Sequence, residues 1–474
     1  MEVLPPSLSY SAGKSASRYN RFQCRVVGTD SANPGDTVRI QLPDKSLVNM
    51  SSFCLNLDLE LTGLTMHAGN NFSQAKLPHG QKLFSAVRVY VGGQLVSGGL
   101  SNQYDILYNA LVKASCGEDW VRSRYNEHAK ELIENGDDIN SFHQNVENAA
   151  GKLKGLASKH ARYVISDFLG VFRGNGGKSI IDTSLWGSVA IEFTFNSAAC
   201  IAKRAGSGFA TTTVNASYKV SNILGYVECI TQTTPLYIKL ISLILDEKKD
   251  LIRFPYQNFI TGVANTKSAR LNINSGCIDM MVMCPLNSNY NSVNAAVTAG
   301  DLSAQRYKYT AVNVDGSAAL SISDSNFTST TTNIQIQIGS DTFPKVPITN
   351  ALDVVDITTN SLFSNSLYSQ NLLYNGLGLG ANGADVTTAY DSDVRSYYSR
   401  QSFLKENFVY IQSFSDQEGW AAKNLTGIDT ASQNLDVIVN FPISTTAGSG
   451  LFIGALVTSM LVFDSRTGQV SVVQ

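Results

Sequence analysis

LPHGQKLFSAVRVYVGGQLVSGGLSNQYDILYNAL, residues 77–111, decides the fold. Its middle, FSAVRVYVGGQLV (84–96), reads as two strands joined at Gly92-Gly93. A Gly-Gly pair suits a tight hairpin, because glycine adopts the positive φ angles that such a turn needs. The run NQYDILYNALVKAS (102–115) then carries apolar residues at helical spacing. The stretch therefore predicts a hairpin followed by a short helix, and the helical residues are Tyr104, Leu107, Leu111 and Ala114.

Strand patterns dominate the rest of the chain. FCLNLDLEL (53–61) alternates strictly between leucine or phenylalanine and polar residues, which is typical of a strand with one buried face. Further strands are predicted in SVAIEFTF (188–195), in LDVIVNF (435–441), and in the pair ALVTSMLVF and QVSVV around DSRTG. Helices are few; NEHAKELIENG (126–136) is the second candidate. The Ser/Thr/Asn-rich region 286–333 predicts long surface loops with short strands, so the fold class is all-β with a few short helices.

The two halves of the chain resemble each other in order. TVRIQLP (37–43) matches DLIRFP (250–255), and FCLNLDLELTG matches GCIDMMVMCP (276–285). VRVYVGGQLV matches IQIQIGSDTFP (334–344), and NQYDILYNAL matches SLYSQNLLYN (366–375). Val189–Phe193 matches Val437–Phe441. Five ordered matches predict two β-rich domains of the same fold at 20–230 and 231–474, preceded by an arm at 1–19.

This order of elements resembles the double jelly-roll major capsid proteins of the adenovirus and tectivirus lineage, and most those of virophages and polinton-like viruses. The likeness rests mainly on the strand-turn and tyrosine-bearing helix within 77–111, and next on IQIQIGSDTFPKVPIT. It implies two tandem eight-stranded jelly rolls standing side by side. Three chains would form a pseudo-hexagonal, hexon-like capsomer that tiles an icosahedral shell. Loops at about 117–160 and 286–333 would form towers or clasp neighbours.

The resemblance also implies partners and a location. We expect a homotrimer that contacts neighbouring capsomers, penton proteins and minor capsid or cement proteins. The arm would face the interior or reach a neighbour, and an inner-shell contact with the genome or an internal membrane is left open. The protein would be part of the virion, assembled inside the host cell and not secreted by a signal peptide.

Composition limits the other classes. The 474 residues are 43% hydrophobic and only 16% charged, with a formal net charge of −2. Positive charges near the start, at Lys14, Arg18, Arg21 and Arg25, are scattered, so we expect neither genome condensation nor sequence-specific nucleic acid binding. The N-terminus lacks the pattern of a signal peptide, and no apolar run is long enough to span a bilayer. The seven cysteines form no CxxC pair, which predicts buried reduced thiols in a reducing compartment.

Two glycine-rich stretches imitate nucleotide sites. GVFRGNGGKSIIDTS (170–184) ends like a P-loop at Lys178-Ser179, but Phe172 stands where the first glycine belongs, and a strand-like run follows where a helix is needed. We assign it to a loop between two strands. Gly378–Gly383 spells GxGxxG without the strand-to-helix context of a dinucleotide site. It is assigned to a mobile or clasping loop.

No catalytic, cofactor-binding or metal-binding residue is predicted, and no enzymatic activity is expected. The segment with His128, His143, Asp137 and Asp138 is assigned to a solvated tower face, because it lacks the spacing of a metal site. His67, His79 and His160 form no HxH or HExxH motif either. The main alternative function is a carbohydrate-binding or hydrolysing β-sandwich protein, which the many tyrosines and Asn-rich loops would suit. A minor virion protein such as a penton or fibre component is a third, disfavoured by the repeat.

Overall fold

The computed structural model describes the strands of both halves and the helices between them. The described residues are 16–62, 75–76, 80–98, 103–115, 160–173, 179–203, 217–232, 242, 251–266, 268–293, 305–307, 309, 334–348, 351–362, 408–414, 427–432, 435–441, 449–464 and 469–473.

Elements of the first half run from Ala16 to Gln232. They are β1 (Ala16–Val27), β2 (Thr37–Gln41), β3 (Leu47–Thr62), β4 (Ala75–Lys76), β5 (Phe84–Val91), β6 (Gln94–Ser97), α1 (Tyr104–Ser115), β7 (His160–Ile165), β8 (Ile180–Asp182), α2 (Thr183–Trp186), β9 (Val189–Phe195), β10 (Ala202–Lys203) and β11 (Ser217–Gln232). Short 3₁₀ turns lie at Gly80–Leu83 and Ala198–Cys200.

Elements of the second half begin at Leu251. They are β12 (Leu251–Ala264), β13 (Ser268–Leu271), β14 (Ile278–Leu286), β15 (Ile334–Ile338), β16 (Asp341–Ile348), α3 (Ala351–Leu362), β17 (Tyr410–Ser413), β18 (Val437–Asn440), β19 (Gly450–Asp464) and β20 (Gln469–Val473). A 3₁₀ turn lies at Gln305–Tyr307.

The strands of each half form two sheets with the same order. In the first half, β1–β11–β3–β7 faces β2–β9–β5–β6, and the two sheets are joined because β1 pairs with both β11 and β2. In the second half the sheets are β12–β19–β14–β17 and β13–β18–β15–β16. Without the short β4 and β10, which pair only with each other, β8, which pairs with β3, and β20, which pairs with β19, both halves have the order 1-8-3-6 in one sheet and 2-7-4-5 in the other, counted along the chain. The chain is a double jelly roll of two tandem eight-stranded units.

Most predicted strands are confirmed. In β3, Phe53, Leu55, Leu57 and Leu59 are buried, whereas the polar residues between them are half-buried. The hairpin of β5 and β6 turns at Gly92 and Gly93, whose φ angles are +57° and +85°. The strand predictions at 188–195, at 435–441 and at the C-terminal pair correspond to β9, β18, and β19 with β20. The alternation of apolar and polar residues therefore predicts the strands of this chain well. Successive side chains of a strand point to opposite faces of the sheet, and one face of each sheet is buried.

Two of the five internal matches require correction. TVRIQLP contains β2, but DLIRFP enters β12, which corresponds in position to β1; the counterpart of β2 is β13. This match was wrong because a short apolar run before a proline recurs by chance in a β-rich chain. The helix in the place equivalent to α1 is α3, between β16 and β17, whereas SLYSQNLLYN lies outside the described residues. The other three matches pair equivalent strands: β3 with β14, β5–β6 with β15–β16, and β9 with β18.

Several further predictions are placed by the structure. The helix predicted at 102–115 is confirmed as α1, with Tyr104, Leu107, Leu111 and Ala114 all buried. NEHAKELIENG and most of 294–333 lie outside the described residues. No helix in the described part of the chain is both long and apolar enough to span a membrane. The predicted boundary at 230/231 falls two residues before the end of β11 and stays a prediction.

Candidate interface between the two jelly rolls

The described part of the P-loop-like stretch, 170–173 and 179–184, is built into the first roll. Ser179 is buried, and its Oγ donates to the Val171 carbonyl at 2.7 Å. The strand β8 follows directly, and the helix α2 begins only at Thr183 and has four residues. The hydroxyl at the position of the P-loop serine is therefore engaged within the fold. Residues 174–178, with Lys178, lie outside the described residues, as do Gly378–Gly383.

Histidines and cysteines do not gather in the described part. His67, His79, His128 and His143 lie outside it with Asp137 and Asp138, and His160 begins β7. No group of three His, Cys, Asp or Glu side chains that could hold a metal is present among the described residues. Six of the seven cysteines are described; none of these six forms a disulfide with another, and five of them are buried. Burial, with a smaller contribution from Cys229, raises the pKa of Cys24 to about 12.

The helix α1 lies between the two rolls. All eight residues from Tyr104 to Leu111 are buried, although such a helix in a single sandwich would expose one face. The Tyr104 ring packs on Phe259 of β12, with 5.7 Å between centroids. Leu107 approaches Gly454 of β19 so closely that a Cβ there would lie 2.8 Å from the Leu107 Cδ1. The first roll thus inserts its helix against the sheet of the second.

A buried ion pair joins α1 to the second roll. The Asp105 carboxylate accepts hydrogen bonds from Nε and Nη2 of Arg306, and the Nη2 distance is 3.0 Å. The two side chains are only 0% and 5% exposed, so the attraction is little screened by water. Asn196 Nδ2 and Tyr307 Oη also donate to Asp105, at 2.7 and 2.9 Å. The carboxylate therefore has four donors, as a buried charge requires.

The protonation states of this cluster follow from burial and charge. Burial alone would lower the pKa of Arg306, but the charge of Asp105 and its hydrogen bonds raise it, so the guanidinium stays charged. Burial, and then the charge of Asp105, hold the pKa of Tyr307 well above its ordinary value. Tyr307 is therefore a neutral donor, and the Lys82 ammonium lies 4.4 Å from its ring centroid.

A second polar contact lies one helical turn further along α1. Asn109 Nδ2 donates to Tyr309 Oη at 2.8 Å, and Tyr309 Oη donates to the Ile106 carbonyl at 3.2 Å. Sequence reasoning missed Arg306, Tyr307 and Tyr309, because it assigned 286–333 to surface loops. The feature of the sequence that could have indicated a buried segment is the pair of tyrosines in QRYKYT, because the region around it contains few aromatic residues.

The edge strand β6 and the residue Trp186 also contact the second roll. Tyr256 Oη donates to the Val96 carbonyl at 2.6 Å, and the Gly98 amide donates to Asn258 Oδ1 at 3.3 Å. At the far end, the ring of Trp186 meets that of Phe463 edge-on at 5.8 Å. These backbone, aromatic and ionic contacts of α1, β6 and Trp186 with the second roll form one continuous interface, which we call the seam. The seam holds the two rolls in a fixed orientation. This arrangement binds the two sheets together.

Solved structures share this architecture over nearly the whole chain. PBCV-1 VP54, fitted into a cryo-EM reconstruction of the virophage Sputnik, matches with a TM-score of 0.51 and 12% identity over 96% of both chains. The cryo-EM structure of the Sputnik virophage matches at 0.50 and 10%, covering 96% of this chain and 88% of the other. The Faustovirus major capsid protein matches at 0.50 and 9%, covering 94% and 90%. Neither a protein-family model nor a curated protein sequence matches.

Proposed function

We propose that this chain is a viral major capsid protein that forms trimeric, pseudo-hexagonal capsomers and tiles an icosahedral shell. The observation that carries the proposal is the buried seam between two rolls of identical strand order. A rigid pair of similar units lets three chains place six similar units around one axis, which is the geometry needed to fill a hexagonal position. The likeness to the Faustovirus major capsid protein and to the structures of PBCV-1 VP54 and the virophage Sputnik supports the same function.

The remaining parts of the proposal concern domains, partners and location. Residues 20–230 and 231–474 would be the two units, with 1–19 as an arm. The capsomer would contact neighbouring capsomers, penton proteins and minor capsid or cement proteins in the virion. It would have no catalytic activity and no sequence-specific nucleic acid binding. A net charge of −2 supports the last point, because a protein that binds nucleic acid through its phosphates needs a basic surface.

Light scattering on the purified protein tests the proposal. We expect a particle of three chain masses, about 154 kDa from a chain of 51.2 kDa. Negative-stain electron microscopy should show capsomers with a pseudo-hexagonal outline, and concentrated protein should form plates or shells. A chain that stays monomeric at all concentrations and binds glycans on an array would refute the proposal and favour a carbohydrate-binding β-sandwich.

A further inference from the structure

A cavity lies at one edge of the first roll, where β3 loses its strand partners. β8 pairs with β3 only up to Asn49 and β7 only from Leu55, so within the described residues no strand covers that edge over 50–54. On its other edge β3 bulges, because residues 50–53 lie opposite the single residue Val227 of β11. Such a bulge disrupts the ladder and bends the strand, and a cavity of about 170 Å³ lies beside it.

Aromatic rings form the closed side of the cavity. Its apolar lining consists of buried side chains that are each at most 4% exposed: Met50, Phe53, Phe168 and Phe172. The three rings contact one another, with centroids 5.4, 5.6 and 5.8 Å apart and planes tilted by 46°, 38° and 52°. Aromatic pairs prefer this spacing, so a further ring in the cavity would extend an existing cluster.

The mouth of the cavity is polar. Ser51, Asp167 and Arg173 complete the lining; Ser51 is exposed and the other two are half-buried, so the cavity opens to solvent on this side. Ser51 Oγ accepts a hydrogen bond from the Ser179 amide at 3.0 Å, and Arg173 Nη2 donates to the Asp167 carbonyl at 3.5 Å. A hydroxyl, a carboxylate and a guanidinium therefore surround the opening.

The volume of the cavity selects the size of a ligand. An apolar protein cavity of about 150 Å³ stays dry and binds benzene or xenon. With about 170 Å³, this cavity has room for one six-membered ring and one further polar atom. A larger ligand would have to displace rings that are packed in the core of the roll.

The mouth selects the chemistry of the polar atom. A ligand carboxylate there would face the Asp167 side chain, and a ligand ammonium would face the Arg173 guanidinium, so either charged group meets a like charge. A hydroxyl is neutral and both donates and accepts hydrogen bonds. It can therefore donate to the carboxylate and accept from the guanidinium at the same time.

We propose that this cavity is a binding site for a small phenol, with the ring among Phe53, Phe168 and Phe172 and the hydroxyl at the polar mouth. The site goes beyond the proposed capsid function and does not depend on assembly, because all of its lining residues belong to the first roll. A bound ring would contact both the bulge of β3 and the segment 167–173, so it would stabilise this end of the roll. Phe172, which stands where a P-loop has its first glycine, thus lines an aromatic site.

Methionine-methyl NMR on the full-length protein tests the site directly. Titration with phenol should move the Met50 methyl signal along a saturating curve with a Kd of about 1 mM or tighter, which is within reach of so small a ligand. The variant Met50→Leu assigns the signal. Met281 and Met283, which are buried in the second roll, are the internal controls and should not shift. A Met50 signal that does not move, or that moves together with those of the second roll, overturns the proposal.

Filling the cavity supplies a second measurement. The larger ring of Phe172→Trp should occupy part of the space and weaken phenol binding by at least about tenfold in isothermal titration calorimetry. Phe408→Trp, at a buried position of the second roll, is the matched control and should bind phenol as the wild type does. Unchanged binding by a folded Phe172→Trp variant, checked by circular dichroism, overturns the site. The wild-type NMR titration decides the proposal if either variant fails to fold.

Three ligands with the same ring test the polar mouth. Phenol should bind more tightly than benzoate and benzylamine, each by about tenfold or more, because only phenol carries a neutral hydroxyl. Asp167→Asn removes the carboxylate, and asparagine also tolerates the left-handed backbone at φ +61°, so this variant should bind benzoate more tightly than the wild type does. Benzoate or benzylamine that binds the wild type as tightly as phenol, or benzoate binding that does not respond to Asp167→Asn, overturns phenol as the ligand class.

Discussion

Replacing Arg306 with methionine should strongly destabilise the seam between the rolls. The change keeps an apolar stem but leaves the Asp105 carboxylate, which is 0% exposed, without its counter-charge. Breaking a buried pair in this way costs about 3–5 kcal/mol. Asn196 and Tyr307 still donate to the carboxylate at 2.7 and 2.9 Å, which places the expected loss near the lower end, about 3 kcal/mol.

The double variant Asp105→Leu/Arg306→Met decides whether the loss comes from the stranded charge. Both ions are then absent, and Asn196 Nδ2 and Tyr307 Oη still have the Lys82 carbonyl at 3.2 and 3.3 Å. Because buried ion pairs exchanged for apolar residues are often neutral in stability, we expect the double variant to be about 2 kcal/mol more stable than Arg306→Met.

Urea unfolding followed by circular dichroism and tryptophan fluorescence measures these differences. Trp186 packs on Phe463 across the seam, so its emission should report separation of the rolls. Arg270→Met is the matched control, because the Arg270–Asp436 pair is 70% and 52% exposed and should contribute at most about 1 kcal/mol. A loss at Arg306 no larger than at Arg270, or a double variant as unstable as the single, would refute the reasoning.

Three further results are expected. Gly98→Ala should lose about 3 kcal/mol or more in thermal unfolding, because at φ +82° its Cβ would lie 1.9 Å from the Val87 carbonyl oxygen; Gly93→Ala, at φ +85° with open space, should cost only about 1–2 kcal/mol, and equal losses would contradict this. The Cys24 thiol, whose pKa burial raises to about 12, should resist iodoacetamide at pH 8 in the folded protein and react in urea; fast native labelling, detected by peptide mass spectrometry, would disagree. Burial raises the pKa of Asp279, so folding favours its protonated form. The unfolding free energy relative to Asp279→Asn should therefore fall as the pH rises from about 4 through the raised pKa and then level off; a pH-independent difference would count against it.

The strands and the first helix could be predicted because their signal is local. In β3 the side chains of Leu55, Leu57 and Leu59 all face the core, and a period of two in the sequence follows directly from that geometry. The turn at Gly92-Gly93 is equally local, since only two residues connect β5 to β6. The order of these signals, repeated in both halves, was enough to indicate two rolls of one fold.

The seam itself could not be predicted in the same way. Arg306 and Tyr309 are buried only because α1, about 200 residues earlier in the chain, lies over them. Nothing in their immediate neighbours alternates with a fixed period, so the segment resembled a surface loop. The mismatch of DLIRFP with TVRIQLP has a related cause: short runs carry the strand signal but not the position of the strand in the sheet.

The sequences of the two equivalent helices, α1 and α3, differ in the same way as their burial. α3 keeps a polar stripe at Asp353, Asp356 and Asn360, as a helix with one covered face does, whereas every residue of α1 from Tyr104 to Leu111 is buried. An apolar helix of that kind can hold an acid only if a buried cation or several donors meet it, so Asp105 in YDILYNAL required buried hydrogen-bond donors or a buried cation. Arg306 meets that requirement inside the chain.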